Sequence, residues 1–176
     1  MPFANFAAGP CTATYNSDSA SGSPAGKGQG VRDLGIVEGV RRWQRTLEAL
    51  PIQSSAFGAT VIDSVYGGGQ CFCLMAFKEW NDVIRDTLWP FGASFGEIGQ
   101  VGRLLSDLAG ILTLTAVSDT MAASNGPATI TFGKAILSPG HNSEIVLGAE
   151  ERDIPIVFRC FPYVNSQSKT VWFDET

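Results

Sequence analysis

Cys71 to Phe77 reads CFCLMAF, and Lys78 to Pro90 follows it as KEWNDVIRDTLWP. A continuous apolar run of about seven residues is the pattern of a strand covered on both faces. The period then changes. Phe77, Trp80, Ile84 and Leu88 recur at i, i+3, i+7 and i+11, one stripe of a helix, while Lys78, Asp82, Arg85 and Asp86 lie off it. Pro90 disfavours helical geometry at Trp89, so the spacing predicts a helix over about 78–89.

Outward from this strand–helix unit, the chain reads as β. Upstream, Gly67-Gly68-Gly69 offers permissive backbone for a hairpin or wide loop. Thr60 to Tyr66 and Gln53 to Phe57 read as strand pieces around Gly58. Gly39 to Leu50 carries Val40, Trp43 and Leu47 among arginines and is expected to end at Pro51. Ala13 to Asn16 is a short β-prone run that opens into Ser17 to Gly30, a Gly, Ser and Ala stretch read as a flexible loop or arm. Downstream, Val101, Leu104, Leu105 and Leu108 suggest a second, short helix interrupted by Gly99, Gly102 and Gly110. Ile111 to Val117, Ala128 to Leu137, Glu144 to Leu147, Ile154 to Val164 and Val171 to Phe173 have strand length. Turns at Asn125-Gly126-Pro127 and Ser138-Pro139-Gly140-His141 separate some of them. The expected fold is mainly β, a sandwich or barrel with one flanking helix and extended loops.

The 176 residues fit a single domain, 1–176, and 44% apolar residues suffice for a full core. Lys and Arg number 12 against 17 Asp and Glu, a net charge of −5, which argues against a nucleic-acid binder working through a basic face. Charged residues make up only 16%, against about 25% in an ordinary soluble domain. Such a shortage points to surface covered by something else. No run of about 20 apolar residues exists to span a membrane. Met1 to Pro10 lacks the basic start of a signal peptide. With no such signal, Cys11, Cys71, Cys73 and Cys160 are expected as thiols, with disulfides left open.

Motifs for catalysis are present only in outline. Gly92-Ala93-Ser94-Phe95-Gly96 matches G-x-S-x-G, with Asp107, Asp119 and His141 following in hydrolase order. The chemistry needs Ser94 on a sharp strand-to-helix turn, whereas this stretch follows a helix end at Pro90, and loop glycines are the better reading. Gly22 to Lys27 has one residue too few for a phosphate loop, and Gly28 replaces its Ser or Thr; Gly26, Gly28 and Gly30 do not fit a dinucleotide fingerprint. Cys71-x-Cys73 sets two sulfurs on one strand face about 7 Å apart, but buried small hydrophobes fit better than half of a zinc site. His141 reads as a turn residue and the four tryptophans as packing. No enzyme activity, metal or cofactor is expected.

The order of features resembles the tail tube (major tail) proteins of long-tailed bacteriophages. The resemblance rests on Gly9-Pro10-x-Thr12-x-Thr14-Tyr15-Asn16, then Asp33-Leu34-Gly35-Ile36-Val37-Glu38-Gly39-Val40 leading into a long strand. Ile52-Gln53-Ser54-Ser55 and Gly58 to Gly67 (GATVIDSVYG) follow, then the apolar strand with Glu79-Trp80-Asn81, Thr131 to Ala135, and Ile154 to Phe158 with an end near Trp172. The pieces span nearly the whole chain, although the Ser17–Gly30 insertion and Cys71 and Cys73 depart from the family pattern.

The resemblance implies a β-sandwich or barrel subunit of the tail-tube type, assembled as hexameric rings that stack head-to-tail into a hollow conduit for genome ejection. A tail terminator, neck or baseplate ring protein of the same fold is the alternative, and a small serine hydrolase using Ser94 or a ligand-binding barrel lies further off. Implied partners are copies of the chain itself and other tail proteins such as sheath, terminator and baseplate hub. DNA would pass without sequence-specific binding, with no membrane insertion. The location would be the virion tail, assembled in the host cytoplasm. Candidates for inter-subunit contact are Arg41, Arg42 and Trp43 on the long strand and Tyr66, Gly67, Gly68, Gly69 and Gln70 in the Gly-rich segment, with Ser17 to Gly30 as a third element. Glu38, Glu48 and Asp63 are candidates to line a lumen, where an acidic wall would not retain phosphates.

Overall fold

A computed structural model of the protein describes residues 11–16, 31–37, 42–54, 60–77, 84–85, 89, 91–92, 97–99, 101–116, 129–139 and 154–175. In chain order the elements are β1 (Cys11–Asn16), β2 (Val31–Val37), β3 (Arg42–Ser54), β4 (Thr60–Phe77), a single helical turn α1 (Leu105–Leu108), β5 (Gly110–Ala116), β6 (Thr129–Leu137) and β7 (Ile154–Cys160). Three two-residue strands close the chain: β8 (Tyr163–Val164), β9 (Thr170–Val171) and β10 (Asp174–Glu175). The fold is mainly β. Seven strands form an antiparallel path β2-β1-β5-β6-β7-β4-β3, and β10 adds to β6 as the eighth, while β8 and β9 pair separately.

Alternation builds the core. Cys11, Ala13 and Tyr15 of β1 point the same way as Cys71, Cys73, Met75 and Phe77 of β4 and Ile156, Phe158 and Cys160 of β7. The sheet curls so that β2 comes back against β4, and Leu34 and Val37 of β2 join the same cluster. Tyr15 pins three strands. Its hydroxyl accepts from Gly110 N at 3.1 Å and donates to the Ala135 carbonyl at 3.0 Å, and its ring lies 5.8 Å from that of Phe158. Burial pushes the phenol up to about 12, so this hydroxyl keeps its proton and its donor role.

The far face of the sheet is covered locally. Ile136 faces away from the main core and packs with Leu108 and Ala109, bordered by Phe91, Leu105 and Phe161. The free edge of β6 is shared, with Ile130 and Thr131 pairing to β10 and Ala135 to Leu137 pairing to β7. At the changeover a Cβ on Gly133 would sit 2.5 Å from the Tyr163 ring, so glycine lets that ring lie flat on the strand. The Tyr163 hydroxyl then donates to Asp174 Oδ2 at 2.7 Å, and Asn165 Nδ2 donates to Asp174 Oδ1 at 2.8 Å, clasping the C-terminal strand.

Several expectations meet the structure differently. Pro51 does not end its strand. β3 runs on to Ser54 with Pro51 opposite Ser64, which an edge strand permits because the missing N–H can face the unpaired side. Gly67-Gly68-Gly69 is neither hairpin turn nor wide loop but lies inside β4, at a register shift opposite Glu48 and Ala49. The second helix shrinks to α1. Gly99 and Gly102 adopt φ of +76° and +84°, breaking the helical repeat and leaving Val101 and Leu104 exposed. Of the helix expected over 78–89, Ile84, Arg85 and Trp89 are described. Ile84 and Arg85 are helical, and Ile84 is fully buried in the main core. Ser17–Gly30, Glu144–Leu147 and the Asn125 turn lie outside the described residues.

Candidate interaction surface

The two longest strands do not end where the body does. Residues 71–77 of β4 pair with β7, and 71–74 of them also with β3 on the other side, but residues 60–70 pair with β3 alone. From Leu47 opposite Gly69 to Ser54 opposite Thr60, a two-stranded ribbon therefore leaves the sheet and extends for about 25 Å. Its side chains are exposed from Leu47 to Gln53 and from Thr60 to Tyr66, and Gly68 and Gly69 at its root are half-covered.

Register assigns the faces. Leu50 opposes Val65 and Ile52 opposes Asp63, with Glu48 on the same side of β3. Ala49 opposes Tyr66, Pro51 opposes Ser64 and Gln53 opposes Val61 on the other side, which Leu47 shares. A solvated ribbon ordinarily has one polar face. This one is apolar on both, with Leu47, Leu50, Ile52, Val61, Ile62, Val65 and Tyr66 all exposed. Across residues 46–54 and 60–70 the only charged side chains are Glu48 and Asp63.

Glycine geometry sets the root. Gly68 has φ of +108°, strained for any residue with a Cβ. A Cβ on Gly69 would collide with the Thr46 carbonyl, and one on Gly67 would sit 3.1 Å from Leu50 Cγ. The extra residue on β4 at this point and a second register shift near Ile62 raise the local twist where the ribbon leaves the sheet. Arg45, just inside the root, holds its guanidinium 5.7 Å from the centre of the Phe173 ring and so ties the base of the arm to the C-terminal segment.

Energetics ask for a cover. An isolated two-stranded hairpin is marginal in water. The seven apolar side chains are each half-exposed or more, apart from Ile52. At about 1.5–3 kcal/mol for full burial of each, covering them would release roughly 5–10 kcal/mol. That is of the order of the 4–15 kcal/mol that association costs in lost freedom. A smaller apolar group, Ile98, Val101 and Leu104, projects from the loop before α1.

The candidate residues divide accordingly. Tyr66 to Gln70 lie at the arm root, and Glu48 and Asp63 share one arm face, exposed. Arg42 and Trp43 are in β3 below the root, opposite Leu74 and Cys73. Arg41 and Glu38 are outside the described residues, as are Ser94, Asp119 and His141. Asp107 lies in α1, and Phe91 and Gly92 form a turn rather than the end of a strand, so the described part of the G-x-S-x-G stretch lacks the strand that a nucleophile elbow requires. Among the described residues no group of three or more His, Cys, Asp or Glu is placed to hold a metal, and no helix is long and apolar enough to cross a membrane.

Leu47, Leu50, Ile52, Val61, Ile62 and Val65 carry the surface, yet sequence reasoning passed over their exposure. The available signal was the loss of apolar–polar alternation in LEALPI (47–52) and TVIDSVY (60–66), two runs of similar length with little charge. In comparisons with known proteins, no protein-family model and no curated protein matches the chain.

Proposed function

We propose that the protein is a structural subunit that assembles with copies of itself, and that the β3–β4 arm is the element through which one copy engages the next. The observation that carries the reading is the arm: a ribbon apolar on both faces, nearly free of charge, and left uncovered by the described residues of its own chain. Two-sided cover suits a segment inserted between subunits better than one resting on a single flat partner. Where the arm enters a different patch of the next copy without reciprocal exchange, the contact is heterologous, and heterologous contacts close into rings or continue as filaments.

The more specific reading is a tail tube protein of a long-tailed bacteriophage, forming stacked hexameric rings that conduct the genome from the virion tail. Its support is the order of sequence features together with the mainly β body and the arm. A chain with net charge of −5 suits a conduit for DNA, which a basic wall would retain.

Negative-stain electron microscopy and sedimentation of the purified full-length protein test both levels. Rings or tubes of uniform width are the expected result. Rings that never stack would favour a terminator, neck or baseplate ring. A monodisperse 18.7 kDa monomer at every concentration would refute self-assembly.

A further inference from the structure

The four cysteines are all buried thiols, but only one pair is in register. Cys71 of β4 lies directly opposite Cys160 of β7, whereas Cys73 opposes Phe158 and Cys11 opposes Val37 and Ala116. Opposed residues in an antiparallel pair have Cα atoms about 4.5–5.5 Å apart, inside the roughly 4.4–6.8 Å range that a disulfide spans. Cys71 and Cys73, two apart on one strand, are about 7 Å from each other with parallel Cα–Cβ bonds, a poor arrangement for a bond. The Cys71 and Cys160 side chains point into the same core, 0% and 3% exposed, with their thiols in hydrogen-bonding reach of each other.

We propose that Cys71 and Cys160 form a covalent cross-linking site, which a small two-electron oxidant of the peroxide class converts to an intrachain disulfide joining β4 to β7 at the root of the arm. The Cys71 sulfur attacks one peroxide oxygen and the O–O bond breaks, giving a sulfenic acid and a hydroxide that takes the Cys71 proton to become water. The Cys160 sulfur then attacks the Cys71 sulfur, the S–O bond breaks, and the departing hydroxide takes the Cys160 proton as a second water. Two thiols lose two electrons and two protons, and one hydrogen peroxide accepts them.

The surroundings assign the order. Cys71 is held below the ordinary thiol range chiefly by the hydrogen bond from Cys160, with the charge of Arg45, its β3 neighbour in register, adding to the effect. Cys160 is raised by the same hydrogen bond and by burial, and its register neighbours, Cys71 and Ala135, bring no cation beside it as Arg45 does for Cys71, so it resolves rather than attacks. Cys71 is two residues past Gly69, where β4 gains β7 as a neighbour, so the bond would fix the strand at the point from which the arm departs. The site does not depend on what the arm contacts.

The test treats reduced, folded full-length protein with hydrogen peroxide and maps it by mass spectrometry without reduction. The expected result is an intact mass lower by about 2 Da, two hydrogens, with one linked peptide pair joining Cys71 to Cys160. Dithiothreitol should reverse it, and the cross-linked chain should melt at higher temperature. Cys73→Ser should keep the link and Cys160→Ser should lose it. Where Cys160→Ser fails to fold, the wild-type peptide map decides alone. Added oxygen without linkage, a link to Cys73 or Cys11, a link between chains, or no change would each overturn the proposal.

Discussion

Replacing Leu50 and Val65 together by aspartate separates the arm's role from the stability of the body. The two side chains oppose each other on one arm face and are 60% and 52% exposed, far from the main core. Folding therefore gains little from them, and two exposed acidic side chains across a ribbon add only modest repulsion. Assembly is different. Full burial of a Leu or Val side chain is worth about 1.5–3 kcal/mol, so covering the exposed half to three fifths contributes about 1–2 kcal/mol per residue. Losing both costs about 2–4 kcal/mol for each docked arm. At 1.4 kcal/mol per tenfold, that weakens association by roughly 30- to 700-fold before the carboxylates are considered. Burying two unpaired carboxylates adds several kcal/mol more. Sedimentation velocity over a concentration series reads the association, and thermal unfolding of the dissociated protein reads the body. The variant should remain monomeric where wild type assembles, with a melting temperature close to that of dissociated wild type. A double variant that assembles at the wild-type concentration would refute the arm as the contact. A variant that loses the body's cooperative unfolding would refute the claim that these residues lie outside the fold.

Four further outcomes follow from the described geometry. Tyr15→Phe removes the partner of the buried Gly110 N–H and Ala135 carbonyl, and denaturant unfolding should show a loss of about 2–5 kcal/mol with unchanged slope; a loss under about 0.5 kcal/mol would contradict the pinning role. Gly133→Ala sets a methyl 2.5 Å from the Tyr163 ring and should lower the melting temperature by about 3–10 °C, read by calorimetry. Gly68→Ala, at φ of +108°, should speed amide hydrogen exchange along the arm while leaving the global unfolding midpoint nearly in place. Asp174 has its carboxyl held below the ordinary range by the hydrogen bonds from Asn165 and then Tyr163. Its contribution is present above the unfolded value of about 3.9 and fades only as pH falls through the lower folded value. Carboxyl chemical shifts across a pH titration should place the Asp174 midpoint below that of a free aspartate.

What the sequence disclosed follows from which forces act locally. The apolar run CFCLMAF was legible as a buried strand because alternation and length are properties of consecutive residues, and Cys71, Cys73, Met75 and Phe77 do face the core. The mainly β class was legible for the same reason. The role of Gly67-Gly68-Gly69 was not. Glycine permits a turn and a mid-strand register shift equally, and the choice falls to the thirteen paired residues from Arg42 to Ser54, which fix β4 as one long strand. Pro51 misleads in the same way, since a proline ends a strand only where its N–H is needed, and β3 has a free edge. Val101 and Leu104 keep helical spacing, but the positive φ of Gly102 interrupts the helix between the two. The Cys71–Cys160 pairing depends on strand order and register between residues 89 positions apart, which no local pattern encodes.

The shortage of charge finds a place in the molecule. A chain with 16% charged residues can be short of charge everywhere or bare in one region. The body carries Arg32, Asp33, Arg103, Asp107, Lys134, Arg159 and Lys169 over its described surface, whereas the arm has only Glu48 and Asp63 beyond its root. A free sheet edge that must stay single is usually guarded by lysine or by inward charges, because exposed N–H and C=O groups invite another strand. Among the described residues β3 is such an edge along its whole length, and beyond its root it has one carboxylate and one proline as guards. Both acidic residues lie on the Leu50–Val65 face, so the Leu47–Tyr66 face has no charge beyond the root. An arm covered on one side only would leave one of these apolar faces in water, and whichever side a neighbour takes, the other still needs cover. The contact that satisfies the arm is therefore one in which the ribbon is enclosed, the uncharged face against apolar surface and the Glu48–Asp63 face against a partner that offers either cations or water at its rim.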